Sequence, residues 1–239
     1  MPSTVFLEGP AGTGKTTRAI QYIRDVLESD VPSHRVLVLV PQRALGQAYQ
    51  RAFAEPAWPG GVQIDVVTLG GLARRGLETF WPLIAEKAGF AQPYQEPSFL
   101  TIETTQYYMA RFVRAAIKTG VFDSVSMTPF DIMRQTHDNL SKAAINSFPL
   151  EQIASRLTAA WGNRHSSRPP VYRAVQDLAQ EFRAHCLEHN LLDFSLQIEV
   201  FMQYLLDEPL YHQFIRTRYR HLVADNLEES PPVVADFIH

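Results

Sequence analysis

The chain has 239 residues, 46% hydrophobic and 20% charged, with a net charge of −3; that is enough apolar material for one α/β domain carrying an insertion or for two domains, and too little positive charge to draw the whole molecule onto nucleic acid. Its single cysteine, Cys186, excludes an internal disulfide and any cysteine-built zinc or iron–sulfur site, and its apolar neighbours mark it as a buried small hydrophobe. No apolar run reaches membrane-spanning length and no basic stretch with a cleavage site opens the sequence, so no membrane partner is expected and the cytoplasm is the expected compartment.

The first predicted element is a strand at Val5-Phe6-Leu7. Behind it, Gly9-Pro10-Ala11-Gly12-Thr13-Gly14-Lys15-Thr16 carries the pattern G-x-x-x-x-G-K-S/T. In a strand–loop–helix unit, glycines let the backbone turn its N–H groups inward on an anion, and the next helix adds the positive end of its dipole. Gly9, Ala11, Gly12, Thr13, Gly14, Lys15, Thr16 and Thr17 are therefore the candidate triphosphate-binding residues. Lys15 is expected to reach the β- and γ-phosphates and the Thr16 hydroxyl to hold Mg²⁺. A helix follows over Thr17 to Leu27, with Ile20, Ile23 and Leu27 on one face.

Val36 to Val40 is continuously apolar and stops at Pro41, which predicts a strand buried on both faces of a parallel sheet. Ala44 to Phe53 is helical, and Val62 to Leu69 predicts a third strand after the Pro59-Gly60-Gly61 break. From about Leu72 to Tyr219 no strand is predicted. Amphipathic helices are expected over Thr101 to Lys118, Pro129 to Ile145, Leu150 to Trp161, Val171 to Asn190 and Ser195 to Leu206, with Asn163 to Pro170 an exposed connection. A fourth strand, Leu222-Val223-Ala224, ends at Asp225. This alternation predicts a doubly wound α/β sheet with its ligand at the carboxyl ends of the strands. Over a hundred helical residues between strands three and four are too many for a crossover, so an all-helical subdomain is expected over residues 76–217, with 1–75 and 218–239 forming the P-loop domain.

An apolar strand ending in Asp is how a P-loop enzyme holds magnesium beside the loop hydroxyl, so Asp225 is the second candidate metal residue with Thr16. Asn226 follows where a water-activating glutamate often stands, and an amide cannot accept that proton. Local polyanion contacts are candidates at Arg43, Arg74-Arg75, Arg164, Arg168, Arg216, Arg218 and Arg220, several of them at strand ends.

Asp193-Phe194 within Asn190 to Ile198, the block Asp225-Asn226-Leu227-Glu228-Glu229-Ser230 some thirty residues later, and Val66-Val67-Thr68-Leu69-Gly70-Gly71 together resemble superfamily 1 DNA helicases of the UvrD/Rep kind. The phosphate loop opens almost at Met1, leaving no room for the upstream glutamine motif of that family. That start, with Val40-Pro41-Gln42, is closer to AddB-like subunits of helicase–nuclease recombination complexes. The resemblance implies a RecA-like P-loop motor domain that binds ATP and Mg²⁺, single-stranded DNA as partner, and a nuclease subunit or domain in the intact assembly. It implies catalytic roles for Lys15, Asp225 and Glu228, the last at the place of a γ-phosphate-sensing glutamine, and DNA-backbone contacts at Arg43 and Thr68. Such contacts are largely independent of base sequence.

A superfamily 1 motor takes its arginine fingers from a second RecA-like domain. The sequence stops inside a predicted helix after Pro231-Pro232, so the expectation is the N-terminal part of a longer protein that binds ATP·Mg²⁺ and hydrolyses it weakly alone. Two other readings fit parts of the pattern. A P-loop kinase of small molecules has similar length but leaves Asp193-Phe194 unexplained and lacks an arginine-rich lid. A non-catalytic ATP-responsive subunit accounts for Asn226.

Overall fold

A computed structural model describes residues 4–59, 64–161 and 168–239. The predicted break at Gly60-Gly61, the start of the expected third strand at Val62, and Arg164 with most of the expected connection over 163–170 lie outside the described residues. The chain divides into two compact units, Met1–Leu72 with His212–Ser230 and Ala73–Tyr211 with Pro231–His239. The last nine residues group with the helical unit, although the sequence places them with the P-loop segment.

The first unit is built around three parallel strands, β1 (Val36–Leu39), β2 (Asp65–Val67) and β5 (His221–Ala224), in the order β2-β1-β5. All four residues of β1 are buried, as expected of a central parallel strand covered on both faces. Helix α1 (Lys15–Glu28) lays Ala19, Ile23, Val26 and Leu27 into a core with Val36, Val38, Tyr49, Phe53, Trp58 and Ile64. Ile23 is fully buried, a burial that stabilises the unit by about 1.5–3 kcal/mol. The short helix α2 (Gln47–Phe53) contributes Tyr49 and Phe53 to the same core. Asp65, at the start of β2, accepts hydrogen bonds from the Tyr219 hydroxyl at 2.7 Å and from Arg218 at 3.4 Å, tying the entrance of β2 to the approach of β5.

Register places the functional ends side by side. Leu39 pairs with Val67 on one side and with Ala224 on the other, and the ladder closes with Val40 N–H donating to Val67 O and Asp225 N–H to Leu39 O, each at 3.0 Å. The residues just beyond the three strands, Val40, Thr68 and Asp225, therefore share the carboxyl edge of the sheet.

The expected strand at Val5-Phe6-Leu7 is absent. Thr4 to Pro10 join no ladder, and Val5 and Phe6 are 76% and 79% exposed. Three apolar residues become a strand only beside a partner, and among the described residues none pairs with them. What holds the phosphate loop is thus α1 rather than a preceding strand.

The second unit is mostly helical. Its first helix, α3 (Leu69–Ile84), begins in the first unit. Then come α4 (Ile102–Lys118), α5 (Pro129–Ile145), α6 (Ile153–Trp161), α7 (Pro169–Glu188) and α8 (Phe194–Val200), which runs on through a π-helical turn at Phe201–Leu205. Helix α9 (Pro209–Arg218) crosses back into the first unit, and α10 (Pro232–Ile238) ends the described chain. Thr128 and Asp131 form a reciprocal capping box at the start of α5, satisfying two otherwise orphaned amides. One departure from the sequence reading is a two-residue parallel pair, β3 (Ser98–Phe99) with β4 (Leu191–Leu192). Two residues are too few for an alternation to show.

Asp193 is the buried N-cap of α8. Its carboxylate accepts from the Ser195 hydroxyl at 2.7 Å and from the amides of Ser195 and Leu196 at 3.2 and 3.1 Å. Arg183, itself buried, donates to the Ser195 hydroxyl at 3.1 Å and pairs with Glu199. The Asp-Phe dipeptide is here a structural device: Asp193 satisfies the first turn of a helix. Cys186 is buried and its thiol is pushed well above the ordinary range by desolvation and then by Asp193, so it is an inert core residue, as the sequence suggests.

Candidate functional site

The site is built where the phosphate loop meets the end of β5. Gly12 and Gly14 have φ of 80° and 85°, a left-handed conformation that a side chain disfavours. A Cβ at either glycine would have open space within 4 Å, so backbone conformation, not crowding, demands glycine there. Thr13 donates to Pro10 O at 2.8 Å and closes the loop on itself. Gly14 is the N-cap of α1; it offers no side-chain cap, and the first turn carries no acidic residue. The leading amides of α1 are thus left without a capping side chain, at the positive end of the helix dipole, which is the arrangement that receives an anion. Ala11, Thr13 and Thr17 are exposed on this loop and first turn.

Lys15 and Thr16, the first residues of α1, are half-buried. The Lys15 ammonium donates to Gly9 O at 2.7 Å and Pro10 O at 3.2 Å, and lies 3.5 Å from Glu228. Thr16 donates its hydroxyl to Asp225 Oδ2 at 2.8 Å across 209 residues of chain. Structure therefore brings Lys15, Thr16, Asp225 and Glu228 together, in a single cluster at the carboxyl end of β5.

Asp225 is 7% exposed, and its burial is compensated by three donors. Besides Thr16, the Tyr49 hydroxyl donates to Oδ2 at 2.8 Å and the Asn226 amide to Oδ1 at 2.9 Å. Burial, reinforced by Asp225, pushes the Tyr49 phenol far above its ordinary range, so the hydroxyl stays protonated and remains a donor. Tyr49 was not legible as a site residue. On α2 it occupies an apolar position, and only its hydroxyl on an otherwise hydrophobic face hints at a polar partner.

Asn226 sits in the left-handed region, φ 53°, which asparagine tolerates better than most residues. Glu228 and Glu229 lie on the short 3₁₀ turn that follows and are exposed. Arg43 and Thr68 follow β1 and β2 at the same carboxyl edge. Arg43 is exposed on a 3₁₀ turn, whereas the Thr68 hydroxyl accepts from Gly71 N–H at 3.1 Å and caps the start of α3.

The family model described as the UvrD/REP helicase N-terminal domain matches residues 1–238. The chain belongs to that family. A comparison with curated proteins gives no match. Membership in the UvrD/REP helicase N-terminal domain family supports helicase function and nucleotide binding in general terms. Among the described residues, no helix is long and apolar enough to cross a membrane.

The residues present fit the ligands that UvrD/REP helicases use. A glycine-shaped loop ahead of an uncapped helix suits a polyphosphate. A hydroxyl and a carboxylate 2.8 Å apart are hard oxygen donors of the kind that magnesium accepts one or two of, keeping waters elsewhere.

Proposed function

We propose that this chain is the ATP- and Mg²⁺-binding motor part of a superfamily 1 DNA helicase, with a RecA-like parallel sheet as its core and the helices between β2 and β5 as a subdomain. The observation that carries the reading is the hydrogen bond from Thr16 to Asp225, which joins the phosphate loop to the end of β5 across nearly the whole sequence. Bound Mg²⁺ would neutralise charge on the β- and γ-phosphate oxygens. Thr16 and Asp225 would hold it, and Tyr49 keeps the Asp225 carboxylate aimed by donating to the same oxygen that Thr16 contacts. The leading amides of α1 and the Lys15 ammonium would grip the phosphates, the lysine exchanging its bonds to Gly9 and Pro10 carbonyls for bonds to charged oxygens. Glu228, 3.5 Å from that ammonium, would steady it and sense its departure. Arg43 and Thr68, at the carboxyl edge of the sheet, would meet the phosphates of single-stranded DNA.

Asn226 makes hydrolysis slow, because no carboxylate stands directly after Asp225 to accept a proton from water. The same residue supports a second reading, an ATP-responsive subunit of a helicase–nuclease complex that binds nucleotide without turning it over. The two are separated by Asn226→Glu. In the motor reading the variant, assayed together with the second RecA-like domain that supplies the arginine fingers, raises steady-state phosphate release by on the order of 10²-fold, the lower end of what a general base contributes. A rate no higher than that of the parent protein, with the fold intact by circular dichroism, rejects the motor reading in favour of the non-catalytic one.

A further inference from the structure

At the carboxyl end of α7 lies a side-chain cluster that the nucleotide site does not use. His185, Glu188 and His189 are spaced i, i+3 and i+4, so helical geometry stacks them on one face. Their candidate ligand atoms all lie within 4.8 Å of one another. His185 is 5% exposed, and both of its ring nitrogens are buried with no hydrogen-bond partner among the described residues. Burying an imidazole with neither nitrogen satisfied costs free energy, and a lone pair on a neutral ring is also what a metal ion binds.

The second histidine is prepared differently. His189 Nδ1 lies 3.1 Å from the His185 backbone carbonyl and 3.8 Å from a Glu188 carboxylate oxygen; both are acceptors, so a proton on Nδ1 serves them and leaves Nε2 with the lone pair. A backbone carbonyl fixing the tautomer and ring direction in this way is the usual outer support of a metal-ligating histidine. The two rings lie 4.1 Å apart between centroids, and those of Tyr108 and Phe112 each stand 5.7 Å from His185, walling the site on one side. Glu188 and His189 are exposed on the other side, and with the His189 ring held by the carbonyl it is the Glu188 carboxylate that closes in by side-chain rotation.

We propose that His185, Glu188 and His189 form a binding site for a divalent transition-metal ion of the zinc type. Two imidazoles and one carboxylate make a three-ligand set with a fourth position open to water, a composition zinc accepts at about 2.0–2.2 Å per ligand. Harder magnesium, which prefers oxygen and retains its waters, is disfavoured by the two nitrogens. The positive charge of Arg111 acts on the His185 ring. The Glu188 carboxylate supplies the negative charge that offsets Arg111. Because the three ligands come from the last turn of α7 and its C-cap residue, a bound ion would clamp that helix end just before Asn190 turns the chain, at φ 50°, into β4.

The test uses the full 239-residue chain stripped with chelator and returned to buffer containing excess Mg²⁺. ZnCl₂ is titrated calorimetrically and Co²⁺ binding is followed by visible absorption. The parent protein is expected to take up one equivalent that shows cobalt–histidine d–d bands and raises the thermal midpoint. His189→Ala and Glu188→Gln alter exposed side chains, so both keep the fold. Each is expected to weaken zinc binding by more than about tenfold, the least that loss of even an outer partner costs, and His189→Ala to abolish the thermal shift. No stoichiometric uptake by the parent protein, or uptake equally tight in both variants, overturns the proposal.

Discussion

Lys15→Ala is expected to weaken ATP binding by roughly 10- to 150-fold while leaving the fold intact. Among the described residues its ammonium contacts two loop carbonyls and a 59%-exposed Glu228, so removing it strands no buried charge there. Hydrogen bonds to charged groups are worth about 1.5–3 kcal/mol each, and every 1.4 kcal/mol is about a factor of ten in affinity. One bond to a triphosphate oxygen in place of a bond to a neutral carbonyl therefore sets that range. Competition against a fluorescent adenine nucleotide reads the change. An unaltered dissociation constant in a well-folded variant would remove Lys15 from the site.

The second large effect concerns stability. Asp193→Ala is expected to destabilise the protein by about 3 kcal/mol, measured from the shift in urea midpoint. It deletes the N-cap of α8, worth about 0.5–2 kcal/mol, and orphans a buried hydroxyl and two buried amides, each such group costing about 1–3 kcal/mol unless relaxation or water supplies a partner. It also removes the negative end of a chain that runs through Ser195 to buried Arg183. Asp193→Asn retains an acceptor oxygen of the same reach and caps nearly as well, so it should lose about 1 kcal/mol. If both variants unfold at the parent midpoint, Asp193 is not a cap that the helical unit depends on. Nucleotide binding separates this role from a catalytic one: the asparagine variant should bind ATP like the parent.

The parts of the fold that are local in sequence were legible there. The loop and α1 combine glycines, a lysine and an apolar stripe within some twenty residues, and β1 declares itself by four buried apolar residues in a row. The Thr16–Asp225 juxtaposition was also legible, because each motif implied the other. Val5-Phe6-Leu7 shows the limit of such reading. An apolar run records a tendency to pair, but the pairing depends on a neighbour that the run does not encode, and here the segment joins no strand.

The role of Tyr49 is hidden in the sequence for a related reason. Periodicity assigns it to the core, correctly, and cannot say that its hydroxyl ends 2.8 Å from a carboxylate 176 residues away. Asp193-Phe194 carries a family resemblance in the sequence, whereas its capping role rests on amides that only the folded helix brings to the carboxylate. Thr68, expected at a DNA contact, accepts from Gly71 N–H through its hydroxyl oxygen, which leaves the O–H proton to donate to a phosphate. The spacing of His185 and His189 carries no signal by itself, because a spacing of four on an amphipathic helix is common, and only burial of both His185 nitrogens gives it meaning.

Isothermal calorimetry of ATP into the intact chain, run once with Mg²⁺ and once with chelator, bears most directly on the joining of phosphate loop and β5. One equivalent should bind, clearly more tightly when magnesium is present, because Thr16 and Asp225 then act on the ion while the α1 amides act on the phosphates. Absence of any uptake, or an affinity indifferent to magnesium, would contradict a triphosphate site at the Thr16–Asp225 junction.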